Sequence, residues 1–526
     1  VFFEEESKIK EIQASAFELC PELDTFEIPA SLTKFGSNAL GTHLDMVCYQ
    51  GTIEQWAQLD FGGSLCNPMY YATKFAIKKD GGGYQTISRI VIPGTVKTIG
   101  RYTFCGFDFL EEVVIEEGVE TISMGAFSGN KALTSIQLPE SLKEIGSRAF
   151  EYCDVITLIK VPSNVEKIDV CAFLGCTSLE TLDFGLNSKI KLLPTELIYN
   201  TTSLVNLTIP NVDGFTEKIG LGNNIENIYY QGTLLDWFKY EFSSAEYNPM
   251  YYAELFYTLD ENGNWCLPTD LYIPEGVETI RYAQYSGNKS IVNVHIPNSV
   301  KSIEPQVFFC CYNLTNAYYY GTLEQWLEMD LGEWTSNPAN NRANLYLLDD
   351  EGNWYLPTEI VIPDGTYKIK PNLFYGVESL NKVTLPESLT EIGYEAFSSC
   401  YNLYEIINNS NLDIIPGTWN GNQGNIAVYT LVVNNRGEIN YADSNITSEN
   451  YKYFETEDGF VFLQYGDVYY LISYKGDEEV PVIPYQINGH FYSCKYIDSS
   501  LKNIELSSEF SSVTSYMFER AVTLES

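Results

Sequence analysis

The chain has 526 residues, 31 of them basic and 70 acidic, for a net charge of −39 at neutral pH. Such a charge repels phosphate backbones and anionic bilayers, which argues against nucleic acid and direct membrane binding. Hydrophobic residues make up 45% of the chain, enough for a continuous core, and no uninterrupted run of about 18 apolar residues offers a transmembrane helix.

No signal peptide opens the sequence. Ile9, Ile12, Ala16 and Phe17 already follow the pattern that dominates what comes after, so the chain reads as a segment that begins inside a repeat. The first irregular stretch, residues 49–91, contains GTIEQW at 51–56 and Asn67-Pro68 followed by MYYA. Two further copies lie at 230–272 and 319–361, with GTLLDW and GTLEQW. Each GT pair begins 42 residues before a proline of the regular pattern, Pro93, Pro274 or Pro363. Equal lengths imply one module: a strand, a short helix carrying Trp56, Trp237 or Trp326, a loop, and a hairpin that rejoins the sheet. A tryptophan at a fixed frame position is expected to pack beneath its own insertion. Asp260-Glu261-Asn262-Gly263 and Asp349-Asp350-Glu351-Gly352 lie between apolar runs, where a hairpin turn needs such residues.

From Ile92 onward the regular pattern takes over. Ile92, Ile115, Leu138, Val161 and Phe184 stand 23 residues apart, and LTSIQLPESLKEIGSRAF at 133–150 matches LNKVTLPESLTEIGYEAF at 380–397. Leu133, Ile136 and Leu138 follow the L-x-x-L-x-L pattern of a short strand facing a solenoid core. Pro139 stops the strand, Leu142 and Ile145 form a second apolar pair, Gly146 suits a turn, and Phe150 fills the interior beside Ala149. One such unit cannot bury its own face, so units must stack. At roughly 5 Å per parallel strand, fifteen to twenty units predict a curved rod about 75 to 100 Å long. The expected class is a leucine-rich-repeat solenoid with mostly short parallel strands and short helical or irregular return segments.

Cys20, Cys153, Cys176, Cys311 and Cys400 each lie three residues after a framework phenylalanine, and Asn130 takes the same slot after Phe127. A slot that accepts Cys or Asn serves turn backbone groups inside the repeat, so these thiols are expected to be buried and structural. Neighbouring Cys153 and Cys176 could come within bridging distance on stacked units, which leaves a disulfide between them open. With no C-x-x-C, zinc is not expected, nor is any other metal or cofactor.

Residues 1–417 are thus one repeat array with three enlarged units. From 418 to 482, glycine, tyrosine and strand-like runs such as VFLQYGDVYYLISY predict a β-rich insertion or small domain. Residues 483–526 return to the frame through Ile483-Pro484 and Leu501, Ile504, Leu506 and Phe518.

The recurring I-P-x-S-V/L-x-x-I-x-x-x-A-F-x-x-C frame resembles the BspA-like bacterial surface leucine-rich repeats, related to the treponemal class, with departures at Ile115-Glu116, Phe184-Gly185 and Gln284-Tyr285. The resemblance implies a secreted or cell-surface protein that takes part in adhesion or host interaction. Catalysis is not expected: the three histidines, His43, His295 and His490, are far apart, and neither H-E-x-x-H nor G-x-S-x-G occurs.

A protein or glycoprotein ligand is therefore expected along the strand face, on alternate residues pointing outward: Ser135 and Gln137, Leu158 and Lys160, Thr181 and Asp183, Asn206 and Thr208, Asn293 and His295, Lys382 and Thr384. A carbohydrate ligand held by the insert tyrosines Tyr70, Tyr71, Tyr251 and Tyr252 is the alternative, and a passive spacer carrying another domain is the third reading. The third insert has Asn340 and Asn341 where those tyrosines would stand.

Overall fold

The computed structural model describes residues 1–416 apart from 5–6, 41–43, 80, 216–217 and 223. Beyond these it describes 426, 430–435, 439–440, 451–465, 468–474, 482–483, 486, 492–493 and 505–506. The chain divides into two compact units, Val1–Pro268 and Thr269–Ser526, each a stack of parallel-strand rungs.

A single rung shows why the sequence folds this way. The strand Ser135–Gln137 ends before Pro139, which has no N–H to donate. The chain returns through Glu144–Ile145, where Thr121, Glu144 and Lys167 align in parallel register, as do Ile122, Ile145 and Ile168. The return side is thus a second parallel sheet of two-residue strands followed by tight turns, where short helical or irregular segments were expected. Gly146 is needed for close approach: a Cβ there would lie 2.6 Å from the Met124 backbone nitrogen of the rung before. The left-handed turn residue is Arg148, at φ 55°.

Beyond the turn, Phe104, Phe127, Phe150 and Phe173 stack face to face, with centroids 5.3, 5.6 and 5.7 Å apart. This column is fully buried and holds successive rungs in register. In the slot that follows, Asn130 Nδ2 donates to the Phe127 carbonyl at 2.9 Å. The thiols of Cys153, Cys176, Cys311 and Cys400 donate to the carbonyls of Phe127, Phe150, Tyr285 and Phe374 at 2.9–3.3 Å. Cys20 departs from the expectation and is exposed, because no earlier rung stacks on its own among the described residues. The described cysteines are free, Cys153 and Cys176 included, so the disulfide considered between those two is not formed. Of the four N-terminal frame residues, only Ile12 is buried; Ile9 and Ala16 are exposed and Phe17 is half-buried.

Gln284 and Tyr285 occupy the Ala-Phe slot fully buried, so this departure from the frame leaves the rung intact. The strands Glu112–Ile115 and Thr181–Phe184, where proline is missing, pair regularly with their neighbours.

The three enlarged rungs share one construction. In the first, the helix Ile53–Ala57 is capped reciprocally by Thr52 and Gln55. Two 3-10 turns, Ser64–Cys66 and Pro68–Tyr71, lead to the strand Lys74–Lys78, which folds back as a hairpin onto Tyr84–Thr86. The helices Leu234–Trp237 and Leu323–Leu327 open the other two. Trp56, Trp237 and Trp326 are wholly buried, as a packing role requires. Trp56 Nε1 and Asn67 Nδ2 both donate to the Thr103 carbonyl, at 2.9 and 3.1 Å. Trp326 Nε1 and Asn337 Nδ2 both donate to the Leu373 carbonyl, each at 3.1 Å. The first and third inserts are therefore pinned to the turn of the following rung. The glycine of each GT pair makes room for a buried tyrosine: a Cβ on Gly321 would lie 2.5 Å from Tyr319 Cε1.

The two acidic tetrads form hairpin turns. Asp260 accepts N–H bonds from Asn262 and Asn264, both at 2.8 Å, and Asp349 accepts them from Glu351 and Asn353 at 3.0 and 2.7 Å. Farther on, Tyr451–Glu455, Phe460–Tyr465 and Val468–Tyr474 form an antiparallel sheet, and Val482–Ile483 pairs in parallel with Glu505–Leu506.

Candidate binding face of the strands

Alternation within each strand sends one set of side chains into the core and the other outward. In the first unit Ser135, Gln137, Leu158 and Lys160 are exposed, while Thr181, Asp183 and Asn206 are half-buried. Thr208 corrects the expectation: it is buried, and its hydroxyl donates to Asp183 Oδ1 at 3.0 Å. In the second unit Asn293, His295, Lys382 and Thr384 are half-buried, and Lys382 pairs with Glu405 at 2.6 Å.

The first four residues line a groove of about 570 Å³. It lies where the sheet is interrupted: Arg89–Ile92, Glu112–Ile115 and Ser135–Gln137 form one sheet, and a second begins at Leu158–Val161. On either side the ladder is regular. The Glu111 carbonyl accepts from Thr134 and Ser135, and the Thr157 carbonyl from Glu180 and Thr181. The return strands and the phenylalanine column continue unbroken across the same rungs, so only the outer side opens. Ile136 and Leu138, expected in the core, are therefore only half-buried.

A different surface occupies the second unit. Parallel register aligns Asp270, Asn293, Asn316 and Asn344 in one outward column and Tyr272, His295, Tyr318 and Tyr346 in the next. In the first column each amide donates to the preceding side chain: Asn293 to Asp270 at 2.9 Å, Asn316 to Asn293 at 2.9 Å, and Asn344 to Asn316 at 3.3 Å. In the second column the rings stack face to face at 4.2, 5.0 and 4.9 Å, within 14° of parallel. Trp354, on the hairpin of the third insert, stands nearly perpendicular to Tyr318 and Tyr320, with centroids 5.3 and 4.9 Å away. Tyr272 is 63% exposed and Trp354 40%.

Charge on this surface is settled by its neighbours. A hydrogen bond from the Thr269 hydroxyl, with others from Asn293 and His295, holds the Asp270 carboxyl below its ordinary value. Burial raises the phenols of Tyr318 and Tyr320, helped by nearby Asp270 and Glu275 respectively. The hydroxyls therefore stay protonated and act as both donors and acceptors. His295 Nδ1 lies 3.1 Å from Tyr320 Oη. Among the described residues no group of three His, Cys, Asp or Glu side chains is placed to hold a metal ion.

The insert tyrosines pack largely against one another. Tyr70 is exposed and meets Tyr71 edge to face at 4.8 Å, and half-buried Tyr251 and Tyr252 do the same at 5.4 Å. In the third insert Asn340 and Asn341 donate to the carbonyls of Thr335 and Phe308. His43 and His490 lie outside the described residues.

Sequence reading named Asn293 and His295 but missed Tyr272, Tyr318, Tyr346 and Trp354. The signal was present in DLYIP, NVHIP, NAYYY and NLYLL, which align once their outward positions are indexed together.

Stacked parallel rungs with buried leucine, isoleucine, phenylalanine and Asn/Cys columns define a leucine-rich-repeat solenoid. The description "BspA type Leucine rich repeat region" matches six copies, over residues 2–64, 97–220, 264–328 and 355–450. The chain belongs to this family of repeat proteins. Solved structures similar to it include a leucine-rich repeat protein from Bacteroides ovatus, 19% identical, which covers 82% of this chain and 97% of its own with a TM-score of 0.42. A leucine rich cell surface protein from Faecalibacterium prausnitzii is 23% identical over 64% of this chain and 92% of its own, with a TM-score of 0.31. A leucine-rich repeat protein from Eubacterium ventriosum is 16% identical over 69% and 92%, with a TM-score of 0.29. No curated protein matches the chain. Among the described residues no helix is long and apolar enough to cross a membrane.

Proposed function

We propose that the protein is a secreted or cell-surface binding scaffold, active in adhesion or host interaction, that holds a protein or glycoprotein against the outward face of its strands and catalyses no reaction. The observation that carries this reading is the outward column of Tyr272, His295, Tyr318 and Tyr346 beneath Trp354. Exposed aromatic side chains cost little entropy to fix and dominate binding energetics when a partner covers them. A passive spacer has no need of such a column. The secreted or cell-surface setting is what the resemblance to the BspA-like surface repeats implies.

Within the second unit Lys382 and Thr384 are further contact candidates; within the first unit Ser135, Gln137, Leu158, Lys160, Thr181, Asp183 and Asn206 are, with the groove at Leu158 as a second point of attachment. Carbohydrate binding through Tyr70, Tyr71, Tyr251 and Tyr252 is less favoured, because each pair spends ring surface on its own partner.

The test is surface plasmon resonance against immobilised secreted glycoproteins, each intact and enzymatically deglycosylated. The variants are Trp354→Ala with Tyr272→Ala, Leu158→Glu, and Tyr70→Ala with Tyr251→Ala. Loss of binding in either of the first two supports the strand face. Loss only in the third moves the site to the inserts, and binding unchanged in all three refutes the proposal.

A further inference from the structure

We infer that the double column of the second unit binds an uncharged linear glycan, laid across successive rungs with one sugar ring against the Trp354 indole. This rests on the strand face being the binding surface and names the chemistry of what it holds.

Spacing is the first argument. Rungs of a parallel sheet follow one another at about 4.8 Å, and the stacked rings are 4.2, 5.0 and 4.9 Å apart. An extended peptide laid in the same direction turns like groups to one side every second residue, about 6.8 Å. It slips by about 2 Å at each rung against that spacing. Each ring of an extended β-1,4-linked polysaccharide covers about one rung, and because alternate rings turn over, like faces recur at about every second rung, which keeps closer step with the ladder than a peptide does.

Chemistry is the second. Each asparagine amide spends one N–H on the preceding side chain, which leaves it a second N–H and carbonyl lone pairs. Beside this column stand phenol hydroxyls that burial keeps protonated. The two columns together offer the alternating donors and acceptors that sugar hydroxyls need. Because the tyrosine rings face one another, the ladder turns edges and hydroxyls to solvent. Trp354, nearly perpendicular to its neighbours, supplies the apolar surface for the C–H side of a sugar ring.

Charge is the third. None of the eight column positions is Lys or Arg, Asp270 is ionised at one end, and the chain carries −39. Sulfated or sialylated chains are disfavoured.

A shorter version occurs in the first unit. Tyr229 and Tyr257 stack at 4.8 Å with Trp265 perpendicular to Tyr229 at 5.4 Å, and Asn227 donates to Asn206 at 2.9 Å. The first insert has no such corner. Cys48 and Ala76 replace the tyrosine pair, and Tyr84, at the tryptophan position, donates to Glu27.

Isothermal titration with cellohexaose and mannohexaose, and with a heparin hexasaccharide as the charged control, tests the inference on the full chain. At least one neutral hexaose is expected to bind, its trisaccharide at least ten-fold more weakly, and heparin not at all. Trp354→Ala and Asn316→Leu should each lose ten-fold or more while hydrogen exchange of the rungs stays unchanged. The inference is overturned if neither hexaose binds, if only heparin binds, or if both variants bind as the parent does. Where no hexaose binds but a deglycosylated glycoprotein still loses affinity on Trp354→Ala, the glycan reading fails and the strand face stands. If glycoprotein binding ignores Trp354 and Leu158 alike, the strand-face reading itself fails.

Discussion

The clamp between the third insert and the rung that follows it makes a quantitative prediction. Trp326 Nε1 and Asn337 Nδ2 share the buried Leu373 carbonyl, and Asn337 also donates to the Asn372 carbonyl at 3.0 Å while its Oδ1 caps the Ala339 N–H at 2.9 Å. Trp326→Phe removes one donor and part of a fully buried ring, a loss of about 2 kcal/mol from the bond and the void together. Asn337→Ala removes two amide bonds and the cap, about 2–3 kcal/mol. In either variant the Leu373 carbonyl keeps one donor. In the double variant it keeps none, and a buried orphaned acceptor costs about 1–3 kcal/mol more. The double variant must therefore lose about 1 kcal/mol or more beyond the sum of the two single losses. Native-state hydrogen exchange over residues 323–348 reads the local opening free energy directly, with about ten-fold in rate for each 1.4 kcal/mol. Additivity within about 0.5 kcal/mol would show that the two side chains do not share this carbonyl, and the clamp would be wrong.

Gly321→Ala forces a methyl to 2.5 Å from the Tyr319 ring and 2.7 Å from Gln325 Oε1; thermal unfolding should register a loss of about 1–3 kcal/mol, and an unchanged melt refutes the steric account of the GT pair. Burial pushes the thiols of Cys176 and Cys311 up to about 12, so at pH 8 the native chain should label at exposed Cys20 while those two stay unmodified; labelling of Cys176 at the rate of Cys20 counts against its buried slot. The Asp349 carboxyl is held below 3.8 chiefly by the Asn353 backbone N–H. Its contribution to the hairpin is thus complete above that value and lost as pH falls through the lower folded value. Exchange at Asn353, corrected for intrinsic rate, should lose protection only in that acid range, and loss between pH 5 and 7 would contradict the turn.

The inward half of each rung was legible because burial constrains it. Leu133, Ile145 and Phe150 recur every 23 residues since each must meet its counterpart one rung away, and the Asn/Cys slot recurs because one buried carbonyl must be satisfied in each turn. The tryptophans of the GT pairs were legible for the same reason. That the return segment is itself a sheet was not legible, because two-residue strands such as Glu144–Ile145 leave almost no alternation from which to infer one.

The outward half has no core to keep it periodic, and there sequence reading succeeded only in part. Thr208 sits at an outward position yet is buried, flanked by Asp183 on one neighbouring rung, which accepts its hydroxyl bond, and by Tyr229 on the other. Nothing in the residues around Ile136 and Leu158 announces that their strands part, and the structure supplies no local cause for it. The aromatic column is the instructive case. Tyr272, His295, Tyr318 and Tyr346 carry no motif within any one strand; they become a surface only when register sets them side by side. Trp265 and Trp354 sharpen the point. They sit at equal places in two inserts, half-exposed over paired tyrosines, whereas Trp237 and Trp326 in the same modules are buried. Frame position therefore separates the tryptophans that build the rung from those left on its outer face. In a solenoid the inward columns identify the fold, and function has to be read from the outward columns once their register is known.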